Sequence, residues 1–295
     1  MNQQNTHFRT RSGFTLIEVL VSMAVLLVLM LALTRMFVAA ANITKRGTTA
    51  LERNSTGETA IETLLQDTEG MAVNERLGCY VEADAVDPGG FGFDEVWLVT
   101  TSGDQDDGRT YQLMRYYVTN VVSTSSTGAE YMRYMLYRDL WIMAVAQDYG
   151  VDVFNPAQTD WWNFGLETAK TASGFPIADR NMLADNVVRF DVYCLGWDGK
   201  DWMQESGGKR VFDSTLGPVG YPQHANKPPA AFDIYLQITS PDVAVESGMA
   251  LLPGVDAQTQ DNARAMMIRE SSSLFGRASP VIGAAQYHHP VEHYN

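Results

Sequence analysis

The segment that decides the fold is FTLIEVLVSMAVLLVLMLALTRMFV, residues 14–38, in which only five side chains are polar. An apolar run of about 20 residues or more is long enough to cross a bilayer as a helix. The residues before it carry Arg9 and Arg11 and no acidic side chain. Because positive charge tends to stay on the cytoplasmic side of a membrane, this leader predicts a cytoplasmic N-terminus and one membrane-spanning helix.

Glu18 lies inside the apolar run and separates three interpretations of it. A cleaved secretory signal peptide, cut near Ala41, normally has a shorter apolar stretch without a carboxylate. A plain membrane anchor explains the length, but an ionised carboxylate inside the bilayer costs about 2.5–3.5 kcal/mol and normally has a partner. The third interpretation, in which Glu18 has such a partner, rests on the residues around it.

Residues 11–19, RSGFTLIEV, resemble the class III signal of type IV pilins and type II secretion pseudopilins. The resemblance implies that a prepilin peptidase cuts after Gly13 and N-methylates Phe14, the first residue of the mature chain. Glu18 is then its fifth residue. The resemblance also implies that Glu18 neutralises the α-amine of a neighbouring subunit inside an apolar helix bundle, where an unpaired charge is costly.

Beyond the apolar run the sequence predicts a helical spine and then a β-rich head. No proline precedes Pro88, so one helix can run from Phe14 to about Gln66, although Gly47 and Gly57 each weaken it by about 1 kcal/mol. The predicted organisation is a prepilin leader at 1–13, a transmembrane or filament-core helix at 14–38, a helical spine and linker at 39–87, and a periplasmic pilin-like head at 88–295.

From Glu95 onward, apolar and polar side chains alternate with the period of two that is typical of half-buried strands. The clearest predicted strands are 188–194 and 232–239, and further strands are predicted at 95–101, 111–122 and 129–141. The glycine- and proline-rich stretch 196–229 is expected to be a loop, and 264–274 a short helix. The predicted fold class is therefore α+β, with a mainly antiparallel β-sheet head.

Composition excludes two broad classes of protein. With 45% hydrophobic and 11% aromatic residues, the chain is not disordered throughout. Its net charge is −14 and it has no basic patch, so nucleic-acid binding is not expected. The two cysteines, Cys79 and Cys194, can form a single disulfide in an oxidising compartment or lie buried as thiols.

Two later stretches narrow the resemblance: 183–202, LADNVVRFDVYCLGWDGKDW, and 227–238, KPPAAFDIYLQI. They resemble the paired late strands of minor pseudopilin J of type II secretion systems and of related minor pilins. The resemblance implies a long N-terminal helix in the inner membrane and a head in the periplasm. It also implies assembly at a pseudopilus tip with other minor and major pseudopilins, on an inner-membrane assembly platform. A minor pilin of a type IV pilus, acting in adhesion or DNA uptake, shares these patterns and stays an alternative.

A function of another class is sugar binding by a head on a pilin-type anchor. Tryptophan rings are suited to stacking on sugars, although they lie more often in cores and interfaces. The residues that would supply such an aromatic platform are Trp161, Trp162, Trp197 and Trp202.

No pattern in the sequence predicts catalysis, and the chain is not expected to be an enzyme. The loop 104–108, DQDDG, has a composition suited to calcium but lacks the EF-hand alternation. Calcium is the one cofactor that the resemblance to pseudopilins implies, since some of them bind it. His289, Glu292 and His293 match the letters H-x-x-E-H, but Pro290 disfavours the helix that would place both histidines on one face, so no metal site is expected there.

Overall fold

The computed structural model describes residues 15–73, 78–86, 92–102, 110–142, 179–206, 209–214, 216–218 and 222–278. The chain divides into two units, residues 1–49 and residues 50–295. Helix α1, Leu16–Glu69, begins in the first unit and ends in the second. Its 54 residues confirm the predicted long N-terminal helix, which neither Gly47 nor Gly57 interrupts.

Among the described residues the head has two sheets, and the larger one has seven strands in which every pair of neighbours is antiparallel. Its strand order is β5-β4-β3-β2-β1-β8-β7. The strands are β1 Cys79–Val86, β2 Gly92–Ser102, β3 Thr110–Thr124, β4 Glu130–Ile142, β5 Asp179–Asp185, β7 Gln204–Ser206 and β8 Lys209–Asp213.

The smaller sheet has three antiparallel strands in the order β10-β9-β6: β6 Val187–Leu195, β9 Ala231–Thr239 and β10 Ser271–Ala278. Its alternation confirms the sequence pattern, since Phe190 and Val192 of β6 and Ile234 and Leu236 of β9 are buried, whereas Arg189 is exposed. Two helices lie between β9 and β10: α2 Pro241–Ala250, capped by Ser240, and α3 Ala257–Arg269, capped by Asp256. A long helix with an antiparallel β-sheet head is the α+β, pilin-like architecture that the sequence predicts.

The structure corrects the secondary structure predicted for three stretches. Strand β1 lies at 79–86, where a helical spine and linker were expected. The stretch 196–229 holds β7, β8 and a short 3-10 helix at Pro222–His224 rather than only loop. The predicted helix at 264–274 is the end of α3 followed by β10, because the serine-rich β10 forms a strand by pairing along β9.

One apolar core joins the two sheets to the last part of α1. Ala60, Ile61 and Leu64 of α1 pack in it with Phe190 of β6 and Met267 of α3. Burial of such side chains is the main source of stability in a domain of this kind, at about 25 cal/mol for each Å² of apolar surface.

Glycines let α1 lie close to the smaller sheet. A Cβ atom added to Gly57 of α1 would overlap Leu274 of β10, and one added to Gly276 of β10 would overlap Ile61 of α1. Gly57 therefore belongs to the contact between helix and sheet, although the sequence suggested only a weak point in the helix.

Candidate functional site

The apolar part of α1 is the first component of the candidate site. All side chains from residue 15 to residue 48 are exposed, including Leu16 at 81% and Phe37 at 73%. Among the described residues, α1 is the helix long and apolar enough to cross a membrane. Soluble monomers rarely expose so large an apolar surface, and lipid or other helices are the surroundings that it suits.

Glu18 lies in the first turn of this helix, where it takes part in a capping box with Thr15. The Thr15 backbone N–H and hydroxyl donate to Glu18 Oε2 at 2.9 and 3.0 Å. In return, the Glu18 backbone N–H donates to Thr15 Oγ1 at 3.4 Å. Two backbone donors that a helix start leaves unpaired are thereby satisfied.

The capping box could have been found in the sequence. Thr15-x-x-Glu18 directly before an apolar run is its usual signature, and the charge of Glu18 alone does not reveal it. Among the described residues, the salt bridges include none to Glu18. Its side chain is exposed, so a cation from another chain can reach it.

Asp67, near the other end of α1, is held in a partly buried ion pair that sequence reasoning missed. Arg138 of β4 donates to Asp67 from Nε at 2.7 Å and from Nη2 at 3.2 Å. The Tyr116 hydroxyl also donates to Asp67. The two charged side chains are only 14% and 15% exposed, so the pair fixes the end of α1 against the larger sheet. Because Asp67 and Arg138 are 71 residues apart, local sequence patterns do not reveal this contact.

Cys79 and Cys194 are both buried free thiols in the same apolar core. Cys79 lies at the start of β1, and its backbone N–H donates to Ser214 Oγ at 2.9 Å. Burial is the main cause that raises the pKa of both thiols, which makes the reactive thiolate scarce near neutral pH. The disulfide between them stays a prediction.

The tryptophans considered as a sugar platform have different surroundings. Trp202 is buried, stacked on Phe212 and close to His224. A Cβ atom on Gly196 would overlap the Trp202 ring, so the glycine lets the ring enter the core. Trp197 is 53% exposed. A platform that includes Trp202 is therefore not formed, because that ring is used for packing.

Several sequence-predicted sites lie outside the described residues. They are the cleavage residues Gly13 and Phe14, the calcium-like loop 104–108, Trp161 and Trp162, and the histidine-containing tail at 288–293. Within the part of the chain that the structure describes, there is no group of three or more His, Cys, Asp or Glu side chains that could hold a metal ion.

Comparison with protein families gives one match. The family described as the prokaryotic N-terminal methylation motif matches residues 8–34. This range contains the leader arginines, the Gly13–Phe14 junction, the capping box and the first part of α1. The match supports a type IV pilin-like prepilin, a class of structural proteins that prepilin peptidase processes. Comparison with curated proteins and with solved structures gave no significant match.

Proposed function

We propose that this chain is a structural minor pseudopilin of a type II secretion-like system. After prepilin peptidase has cut the leader and methylated Phe14, the chain assembles with other minor and major pseudopilins at a pseudopilus tip, on the inner-membrane assembly platform. The apolar part of α1 is first an inner-membrane helix and then part of the filament core, and the head lies in the periplasm.

The observation that carries the proposal is the coincidence of three features within one segment. The methylation motif covers residues 8–34. Helix α1 begins at Leu16, two residues after Phe14. Glu18 lies in its first turn, bound to Thr15 and with an exposed carboxylate. A new α-amine on Phe14 and a carboxylate four residues later are complementary charges. In an apolar bundle each lowers the cost of burying the other.

The head supports the choice of a minor rather than a major subunit. The second unit runs from residue 50 to residue 295, and its described residues include two sheets and the helices α2 and α3. Major subunits must stack closely along a filament, and a bulky head is accommodated more easily at a tip. The same features suit a minor pilin of a type IV pilus, and the identity of the co-assembled subunits distinguishes the two systems.

The first experiment is to measure the intact mass and N-terminal sequence of the protein recovered from membranes of a host that contains prepilin peptidase. We expect a chain that begins at methylated Phe14. Substitution of Gly13 by a large residue should leave the precursor uncut. A wild-type chain that stays uncut, or is cut near Ala41, would contradict the proposal.

Three substitutions then separate the charge of Glu18 from its capping role. Glu18→Gln keeps a capping side chain but removes the charge, Glu18→Ala removes both, and Thr15→Ala removes the threonine hydroxyl and keeps the charge. If charge neutralisation drives assembly, both Glu18 variants are processed but fail to enter filaments, while Thr15→Ala is processed and enters them. The measurement is the amount of processed protein in sheared filament fractions. Normal incorporation of Glu18→Gln would contradict the neutralisation mechanism.

A further inference from the structure

The middle of α1 carries positive charges and no negative ones. Residues 19–51 contain Arg35, Lys45 and Arg46 but no aspartate or glutamate. The whole chain, by contrast, has a net charge of −14. All three basic side chains are exposed. An acidic protein thus has a local excess of positive charge at the end of its apolar run.

Two of these cations have no partner within the chain. Arg35 and Arg46 form no ion pair or side-chain hydrogen bond with any residue that the structure describes. Arg53, the next arginine along α1, differs, since its Nη1 donates to the Glu270 carbonyl oxygen at 3.3 Å. Because a guanidinium has five N–H donors, Arg35 and Arg46 keep their full capacity for an acceptor outside the chain.

The position of Arg35 along α1 matches the thickness of a bilayer. At about 1.5 Å per residue, the 19 residues from Leu16 to Thr34 extend about 28 Å, close to the hydrocarbon thickness of about 30 Å. The Thr34 hydroxyl donates to the Met30 carbonyl oxygen at 2.8 Å and so needs no water. When the start of α1 lies at one boundary of the hydrocarbon, Arg35 lies at the other. Its long side chain then reaches the layer of lipid phosphates.

Lys45 and Arg46 lie farther out than Arg35. Arg46 is 11 residues beyond Arg35, which is about three helical turns and about 16 Å, on the same face of α1. The headgroup layer is only about 5–7 Å thick, so these two cations lie outside it. They remain within about one Debye length of its surface, which is about 10 Å at moderate salt. Arg35 can therefore contact a lipid phosphate, whereas Lys45 and Arg46 attract anionic lipids at a distance.

We propose that Arg35 binds the phosphate group of an anionic phospholipid at the periplasmic surface of the inner membrane, and that Lys45 and Arg46 strengthen the preference for anionic lipid. The guanidinium fork matches two phosphate oxygens in parallel hydrogen bonds. The bound lipid fixes the depth of α1 in the bilayer before the chain enters a filament. This inference rests on the membrane-inserted state that is part of the proposed function.

The test uses the full chain in lipid nanodiscs that contain equal amounts of phosphatidylglycerol and phosphatidylcholine. Native mass spectrometry counts the lipids that stay bound after the chain is released. We expect phosphatidylglycerol to be retained preferentially. Arg35→Gln should lower this preference about fivefold, which corresponds to about 1 kcal/mol. Equal retention of the two lipids by the unchanged chain would overturn the proposal.

Two further variants identify the cause of such a loss. Arg35→Lys keeps the charge but not the fork, so its preference should lie between those of the unchanged chain and Arg35→Gln. Arg269→Gln is the matched control, because it also removes one positive charge, from a side chain of the head that is 74% exposed. It should leave the preference unchanged. A loss in Arg269→Gln equal to that in Arg35→Gln would overturn the proposal.

Salt separates the contact at Arg35 from the attraction at a distance. Arg46→Gln should lower the preference less than Arg35→Gln in dilute ammonium acetate. At about 0.5 M its effect should disappear, because the Debye length is then only about 4 Å, while the effect of Arg35→Gln persists. Equal effects of the two variants at the higher concentration would overturn the assignment of the contact to Arg35.

The same experiment distinguishes failure of this inference from failure of the proposed function. A chain that does not enter nanodiscs has no membrane anchor, which overturns both. A chain that enters them and retains the two lipids equally overturns only the lipid site. If Arg35→Gln retains lipid like the unchanged chain but is depleted from sheared filaments, Arg35 pairs with an acidic side chain of another subunit, and the lipid site is overturned.

Discussion

The two parts of α1 form one continuous helix but have opposite surroundings. Residues 15–48 expose every side chain, whereas the part that belongs to the head buries Gly57, Ala60, Ile61, Leu64 and Thr68. The difference also holds for two acidic residues. Asp67 has Arg138 as a partner within the chain, while Glu18 is exposed and bound only to Thr15 among the described residues. The head part packs on the core of the head, whereas the side chains of the apolar part are exposed.

Removing the carboxylate of Asp67 is expected to have the largest effect on the head. Asp67→Ala leaves the Arg138 guanidinium partly buried without its main partner, and loss of one member of a buried pair costs about 3–5 kcal/mol. Urea unfolding of the full chain in detergent, followed by tryptophan fluorescence, measures the change. Arg269→Ala is the control, since its pair with Glu270 is exposed and should contribute less than about 1 kcal/mol. Equal effects of the two substitutions would mean that Asp67 does not fix the helix.

The two glycines of α1 test the same contrast with one type of substitution. Gly57→Val places a side chain where Leu274 and Ile238 already lie, and such overpacking typically costs about 1–3 kcal/mol. Gly47→Val meets no atom within 4 Å, so the free energy of unfolding should change by less than about 0.5 kcal/mol. Both are measured by the same urea titration. A larger loss for Gly47→Val than for Gly57→Val would contradict the described division of α1.

The smallest expected effect is a loss of folding stability at alkaline pH, and it concerns only the head. Burial, and then the negative charge of Asp139, raise the pKa of Tyr117 from 10.0 to about 12. Its hydroxyl donates to Asp139 Oδ2 at 3.1 Å. Above the ordinary tyrosine pKa the unfolded state loses a proton that the folded state keeps, so stability falls as pH rises from about 10 to about 12.

Tyr117→Phe should make that alkaline decline shallower. Phe37→Leu, a change in the exposed part of α1, should leave the slope as it is in the unchanged chain, since residues 15–48 contain no tyrosine. Unfolding free energies measured at several pH values between 9 and about 12 give the slopes. If the slope of Tyr117→Phe equals that of the unchanged chain, Tyr117 does not contribute to it.

Features set by short-range pattern were predictable from the sequence. The long apolar run predicts α1, and the alternation of apolar and polar side chains predicts β6 and β9, because both signals lie within a single segment of the chain. Strand β10 was not predictable in this way. Its sequence SSSLFGRA has little apolar alternation, and the strand exists because β9 supplies hydrogen-bond partners along its whole length.

Long-range contacts explain what the sequence could not predict at the candidate sites. The signal around Gly13, Phe14 and Glu18 is contiguous and needs no fold to be recognised. The pairing of Asp67 with Arg138 depends on which helix and which strand become neighbours in the fold. Burial of Trp202 likewise follows from Gly196, whose missing side chain leaves room for the ring.

The attachment of the end of α1 has a mechanical consequence. After Glu69 the chain continues directly into the larger sheet, where Met71 bridges to Thr100 and the Ala72 N–H donates to Val99 at 2.8 Å. Tension applied along α1 therefore passes into the sheet through this bridge and through the Asp67–Arg138 pair, which share the load. In a single-molecule pulling experiment, Asp67→Ala should lower the force at which the head ruptures, and Arg269→Ala should leave that force unchanged.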